Sequence, residues 1–134
     1  MFTKTTKTMV AAAAMTFGLF GVTATPANAA SGGGCYDHPN TDPCISLSGN
    51  FLYADFYQNK RPDASMSTAV LAIIKNGLTA TSQSYDLTRT GRYGPISNNI
   101  ATLPPSNGSA YARVRVYTNT GALHYEVRSP TQYW

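Results

Sequence analysis

Apolar side chains alternate with polar and aromatic ones along residues 51–58, FLYADFYQ. Leu52, Ala54 and Phe56 occupy every second position, so an extended chain places them on one face. The opposite face receives Phe51, Tyr53, Asp55 and Tyr57. A two-residue period with aromatic enrichment predicts a β-strand that buries the first set and exposes the second.

The clearest alternation lies near the C-terminus, in YARVRVYTNTGALHYEVR (111–128). Its two halves flank a turn over 118–121 and predict an antiparallel hairpin. A slip by one residue would move every apolar side chain from the core into water, so we expect burial to fix the register. The predicted cross-strand pairs are Val116 with Leu123, Arg115 with His124, Val114 with Tyr125, Arg113 with Glu126, and Tyr111 with Arg128.

Residues 65–86 are compatible with two structures. The apolar positions over 66–73 have helical spacing, which favours a helix that ends at Gly77. However, the segment is rich in β-branched side chains, and Asn76-Gly77 is a strong signal for a two-residue hairpin turn. We therefore predict a hairpin rather than a helix.

Residues 88–109 lack a periodic apolar pattern and are punctuated by glycine, proline and asparagine, as in Gly94-Pro95. Such residues mark turns and loops. We interpret the segment as one long connection. The side chains expected to hold it against the core are Tyr93, Ile100 and Leu103.

The first 29 residues have the pattern of a bacterial secretory signal. Lys4 and Lys7 precede an alanine-rich apolar run over 9–22, and ANA (27–29) has the small-x-small pattern of a cleavage site. The run is shorter than the roughly 20 residues that a membrane-spanning helix needs. We therefore expect cleavage after residue 29, secretion, and no membrane anchor.

Cleavage changes the charge of the protein. The whole chain has 134 residues, 10 of them basic and 6 acidic, and a formal net charge of +4. Removing 29 residues and their two lysines leaves 105 residues with a net charge of +2, the size of one small domain. We expect a flexible leader over 30–34 and a single β-domain over 35–134. We expect no nucleic-acid partner, since a protein that binds nucleic acids usually needs clustered cationic side chains.

The stretch CYDHPNTDPC (35–44) contains most of the residues that could bind a metal or take part in catalysis. A lipid anchor would need an aliphatic residue three places before Cys35, where Gly32 stands. A zinc site or a catalytic cysteine would need free thiols, which oxidation competes for outside the cell. We predict a Cys35–Cys44 disulfide, no metal or other cofactor, and His38 as a surface residue.

Several short strands separated by regular turn signals predict an all-β fold. The expected architecture is a small antiparallel β-sandwich or open barrel, with one disulfide near the mature N-terminus. We expect this domain to be a monomer.

The aromatic content of the outward-facing positions favours binding over catalysis. The chain contains 9 tyrosines, and alternation places several of them opposite the core. Aromatic rings stack on sugars or anchor protein contacts, and arginines grip carboxylate or phosphate. The predicted function is non-enzymatic binding of a glycan or protein outside the cell. The predicted site residues are Tyr53, Tyr57, Tyr111, Arg113, Arg115 and Tyr117.

A protease inhibitor or antibacterial protein is one alternative. The loop ATLPPSNG (101–108) places Leu103 before two prolines, and a stiffened loop loses little entropy when it docks. The loop lacks a flanking cysteine to hold it, which makes this function less favoured than binding.

A small secreted ribonuclease is a second alternative. His124 and Glu126 would transfer protons while Arg113 and Arg115 hold the phosphate, with His38 as a second titrating group. The low net charge and the lack of recognisable catalytic motifs favour binding instead.

Overall fold

The computed structural model describes residues 30–100 and 108–134, so the predicted signal peptide (1–29) and Leu103 lie outside the described residues. All regular structure within these ranges is β-strand. The strands are β1 Ser31–Gly32, β2 Gly34–Cys35, β3 Thr41–Ser48, β4 Phe51–Gln58, β5 Thr68–Lys75, β6 Leu78–Asp86, β7 Gly91–Asn99, β8 Ser109–Tyr117, β9 Leu123–Arg128 and β10 Gln132–Tyr133. In these ranges no helix is long and apolar enough to cross a membrane.

The strands form two antiparallel sheets that pack as a sandwich rather than a closed barrel. The six-stranded sheet has the order β1-β10-β8-β5-β6, and β9 also pairs with β8. The four-stranded sheet has the order β2-β3-β4-β7. The predicted antiparallel all-β fold is confirmed.

One apolar layer lies between the two sheets. Leu52 and Phe56 of β4 and Val114 and Val116 of β8 are all 0% exposed and belong to the same cluster. Full burial of such a side chain stabilises the fold by about 1.5–3 kcal/mol relative to leaving it in water. The alternation of the sequence therefore defines the inner face of both sheets.

β5 and β6 form the hairpin that Asn76-Gly77 predicts, and the helical alternative is wrong. The φ angles are 50° at Asn76 and 85° at Gly77, in the left-handed region that a tight two-residue hairpin turn requires. The Asn76 side-chain oxygen also accepts a hydrogen bond of 3.0 Å from the backbone N–H of Ser109. This bond ties the turn to the first residue of β8.

The interpretation of residues 88–109 as one long loop is wrong, because β7 occupies the middle of this segment. β7 pairs with β4 from one end to the other and buries Tyr93 and Ile96, each 6% exposed. Tyr93 therefore holds the segment to the core, as predicted, but it does so from a strand.

The residues that suggest a loop in β7 mark an irregularity in its pairing. Gly94 has a φ of 103° and precedes Pro95 through a cis peptide bond, next to the point where the register shifts opposite Asp55. β7 is an edge strand, and an edge strand tolerates proline and bulges because its outer side has no strand to pair with.

The predicted register of the C-terminal hairpin is wrong by two residues. Arg115 lies opposite Glu126, and Arg113 lies opposite Arg128. A two-residue shift keeps each side chain on its own face of the sheet, because the side-chain period is also two. Burial of the apolar face therefore excludes a one-residue slip of the register but does not exclude a two-residue slip.

The shift arises in two steps: Leu123 pairs with Tyr117 rather than Val116, and an irregularity at the start of β9 adds the second residue. The register changes between Leu123 and Tyr125, so His124 has no directly opposite residue. Leu123 was predicted to face the core, but it is 53% exposed. Tyr125 packs against the core as predicted.

Residues 30–34, predicted to be a flexible leader, overlap two short strands. β1 pairs with β10, with Gly32 opposite Gln132, and β2 pairs with β3, with Gly34 opposite Ile45. The leader thus contributes a strand to each sheet. Its run of serine and glycine has no periodic pattern, so the sequence contains no local signal for this pairing.

The Cys35–Cys44 disulfide is confirmed. It joins directly opposite residues of β2 and β3, and closing a loop of this size stabilises the fold by about 2–3 kcal/mol in the chain-entropy model. Within the loop, Nδ1 of His38 accepts hydrogen bonds from the backbone N–H groups of Asn40 and Thr41, at 3.1 and 3.2 Å. His38 is half-buried and helps to close the loop.

Val114→Asp should unfold the domain, because Val114 is 0% exposed and the new carboxylate would be buried without a counter-ion. Leu123→Asp is the matched control, since Leu123 is 53% exposed on the neighbouring strand. Circular dichroism during thermal unfolding measures both. We expect Val114→Asp to lose its β-sheet signal and Leu123→Asp to melt close to wild type. A cooperatively folded Val114→Asp would contradict the placement of β8 in the core.

Candidate functional site

The six predicted site residues lie on two separate surfaces. Tyr53 and Tyr57 lie on the outer face of the four-stranded sheet, opposite its core-facing residues. The other four lie on the outer face of the six-stranded sheet, and they are Tyr111, Arg113, Arg115 and Tyr117. The structure therefore does not bring the six residues together.

We call the first surface the tyrosine face, defined by Phe51, Tyr53 and Tyr57. These side chains are 40%, 37% and 41% exposed, respectively. They all belong to β4, which lies between β3 and β7. The rings of Phe51 and Tyr53 are 6.2 Å apart between centroids, and Tyr57 lies four residues, or about 13 Å, further along the strand than Tyr53. The three rings form a row along this strand.

Short polar side chains border this row on the neighbouring strands. Tyr53 lies between Ser46 of β3 and Ser97 of β7, and Phe51 lies opposite Ser48. Serine is too short to cover the face of an aromatic ring. The rings of Phe51 and Tyr53 are therefore open to solvent and have hydroxyl groups beside them, whereas Tyr57 lies between Asp42 of β3 and Arg92 of β7.

An ion pair lies beside the rings on the same face. It joins Asp55, which is between Tyr53 and Tyr57 on β4, to Arg92, which is opposite Tyr57 on β7. The Arg92 Nε donates a short hydrogen bond to Oδ2 of Asp55, and these side chains are 51% and 13% exposed. This bond raises the pKa of Arg92 above its ordinary value. Sequence reasoning missed Arg92 as a site residue because its strand was interpreted as a loop. The alternation of buried Tyr93 with exposed Arg92 was the available signal.

We call the second surface the arginine face, defined by Arg113, Arg115, Arg128 and Glu126, with Tyr111 and Tyr117 at its ends. Nε of Arg115 donates to one Glu126 carboxylate oxygen at 2.8 Å, and Nε of Arg128 donates to the other at 2.9 Å. The hydrogen bond from Arg115 is the largest cause that lowers the pKa of Glu126 below its ordinary value. The carboxylate is held ionised between two guanidinium groups.

Two further contacts complete the arginine face. The Arg128 guanidinium carbon lies 5.0 Å from the ring centroid of Tyr111, a cation–π distance. Arg113 lies directly opposite Arg128, and its Nε is buried without a hydrogen-bond partner among the described residues. Arg128 was predicted to face Tyr111 but was not included in the predicted site.

The three titratable residues proposed for a ribonuclease all contact other side chains in the structure. The rings of His38 and His124 each lie 5.1 Å from the ring of Tyr125, between centroids. Both carboxylate oxygens of Glu126 accept hydrogen bonds from arginines, and its pKa is lowered. A carboxylate held in this way is a weak proton acceptor, so Glu126 is better suited to be a counter-ion than a general base.

Glu126→Gln should remove a pH-dependent part of the stability. A lowered pKa in the folded state means that ionised Glu126 stabilises the fold above its ordinary pKa of 4.5 and that this stabilisation is lost as the pH falls through the lowered value. We expect a difference of at most about 1 kcal/mol between wild type and variant at neutral pH, because the arginines are solvent-exposed. Urea unfolding from about pH 7 to about pH 3 should show this difference shrinking towards acid. A difference that does not change with pH would contradict the paired, ionised state.

No group of three or more His, Cys, Asp or Glu side chains in the described part of the chain is placed to hold a metal ion. In comparisons with known proteins, no family model, no curated protein and no solved structure matches this chain. The tyrosine face and the arginine face are therefore the basis for any functional inference.

Proposed function

We propose that this protein is a secreted, non-enzymatic binding domain that holds a glycan on its tyrosine face. The observation that carries the proposal is the row of exposed rings formed by Phe51, Tyr53 and Tyr57 on one central strand. These rings face away from the core, so packing of the sandwich does not account for them.

The row has the physical properties that sugar binding uses. Aromatic rings present a large apolar surface with few rotatable bonds, and a sugar ring stacks its C–H face on such a surface. Hydroxyl groups at Ser46, Ser48 and Ser97 border the row and can exchange hydrogen bonds with sugar hydroxyls. An extended glycan chain matches a row that runs along one strand.

The ion pair between Asp55 and Arg92 favours a glycan over a protein partner. The buried centre of a protein interface is usually depleted of charge, and removing water from an ion pair is costly. Asp55 lies between Tyr53 and Tyr57 on β4, and Arg92 lies opposite Tyr57 on β7, so the pair lies within the face. Sugar hydroxyl groups can replace the lost water as hydrogen-bond partners of both ions.

Two features support action outside the cell. Residues 1–29 have the pattern of a cleavable signal, and the Cys35–Cys44 disulfide is of a kind that persists in oxidising compartments. The natural glycan would then lie at or beyond the cell surface.

Replacing Tyr53 and Tyr57 together by alanine should weaken glycan binding about 10- to 100-fold, since each ring contributes stacking energy. Tyr133→Ala is the matched control, because Tyr133 is 52% exposed but lies on β10 of the other sheet. Purified protein is screened by pull-down and affinity electrophoresis against cell-wall polysaccharides, neutral oligosaccharides and secreted proteases. Titration calorimetry with the tightest ligand then compares the three proteins.

Full affinity in the Tyr53→Ala, Tyr57→Ala variant would contradict the proposal, as would equal loss in Tyr133→Ala. Capture of a protease with no binding to any polysaccharide would replace it with the inhibitor alternative.

A further inference from the structure

We propose that the arginine face is a second binding site, selective for acidic glycans whose carboxylate or sulfate groups bind Arg113 and Arg128. This surface lies on the opposite side of the sandwich from the tyrosine face. The inference therefore goes beyond the proposed function and does not depend on it.

The arginine face carries more positive than negative charge. The cluster has three arginines and one carboxylate, that of Glu126, which pairs with Arg115 and Arg128, so it has an excess of positive charge. Arg113 and Arg128 lie directly opposite each other on neighbouring strands, and like charges in that position destabilise a sheet. Asp86 is the nearest acidic residue on β6, and it lies beyond β5, opposite Thr68 at the corner of the sheet. An anionic group bound between the two arginines would remove this repulsion.

The guanidinium groups of Arg115 and Arg128 are held in place before any ligand binds. Arg115 and Arg128 are both held through Nε by Glu126, and Arg128 is also held by the ring of Tyr111. These guanidinium groups remain accessible to a ligand, with Arg115 and Arg128 39% and 56% exposed. A donor group that is already fixed loses little entropy on binding, and a guanidinium group matches an oxyanion with two parallel hydrogen bonds.

The side chain of Arg113 lies over buried residues of the neighbouring strand. Ala72 lies opposite Arg113 and Ile74 lies opposite Tyr111, and both face outward from the six-stranded sheet. They are nevertheless only 0% and 4% exposed, so side chains of the adjacent strands cover them. The Arg113 stem therefore lies on an apolar surface, with its Nε buried and unpaired within the described residues. The described part of the protein supplies no acceptor for this Nε, so the Arg113 guanidinium group is not fully paired within the fold.

Among acidic polymers, the shape of the surface and its small number of cationic groups favour a glycan as the ligand. Tyr111, Arg113, Arg115 and Tyr117 occupy every second position of β8, a row about 20 Å long. Exposed hydroxyl groups of β6 lie beyond β5, at Ser82 and Ser84. Charged groups of a sugar polymer would meet the arginines and its hydroxyl groups would meet these serines. Nucleic acid binding usually requires more cations than the three arginines present here.

Isothermal titration with dextran sulfate, polygalacturonate and uncharged dextran tests the proposal. We expect at least one acidic glycan to bind, uncharged dextran not to bind at this face, and the affinity to fall with added salt. Arg128→Gln should weaken binding of the acidic glycan about tenfold. Arg61→Gln, which removes an exposed arginine that belongs to neither face, should leave it unchanged.

Near-ultraviolet circular dichroism checks that each variant is folded, and Arg113→Gln provides a second test with the same expected loss. The Tyr53→Ala, Tyr57→Ala variant should bind acidic glycans normally, which separates this site from the tyrosine face. Three results would overturn the proposal: neither acidic glycan binds, Arg61→Gln and Arg128→Gln lose equal affinity, or single-stranded DNA or polyglutamate of equal charge binds as tightly.

Discussion

Each long strand of this domain buries one face against the opposite sheet, and this requirement determines the rest of the structure. It is clearest where three aromatic rings meet between the sheets. Phe56 of β4 stacks on Tyr93 of β7 with 5.0 Å between centroids, and Tyr85 of β6 contacts both rings edge-on. Such ring pairs contribute about 0.5–1.5 kcal/mol beyond the area they bury. They lock the edge of the six-stranded sheet to the four-stranded sheet.

Packing and binding are consequently assigned to alternate residues of the same strands. Phe56 is fully buried, and its neighbour Tyr57 is 41% exposed on the tyrosine face. Val114 and Val116 are fully buried, and Arg115 between them pairs with Glu126 on the arginine face. Both outer faces are therefore held by a rigid core while their side chains remain free to contact ligands. A rigid support of this kind reduces the entropy lost on binding.

The sequence predicts those parts of the fold that depend on side-chain period and turn chemistry. The strand over Phe51–Gln58, the hairpin at Asn76-Gly77 and the inner residues of β8 all follow from local pattern. β7 was missed because Gly94 and Pro95 are loop residues in most contexts, and only its position at the edge of a sheet makes them tolerable.

The candidate site was predictable only in part, for a different reason. Alternation correctly identifies Tyr53 and Arg113 as outward-facing, but it contains no information on which sheet each strand joins. Two surfaces were therefore predicted as one. The contact of Arg115 with Glu126 was missed because a two-residue shift preserves the facing of every side chain. Both the sheet that a strand joins and the register of the hairpin are determined by strand pairing in the folded structure.

The central claim is that ligands bind to the outer faces while the core stays unchanged. Backbone amide shifts in ¹H–¹⁵N NMR, recorded during titration with the tightest-binding neutral oligosaccharide, test it most directly. The account predicts shift changes concentrated in β4 and in the adjacent residues of β3 and β7, with those of β8 and β9 unchanged. Changes centred on β8 and β9, with the amides of Tyr53 and Tyr57 unaffected, would contradict it.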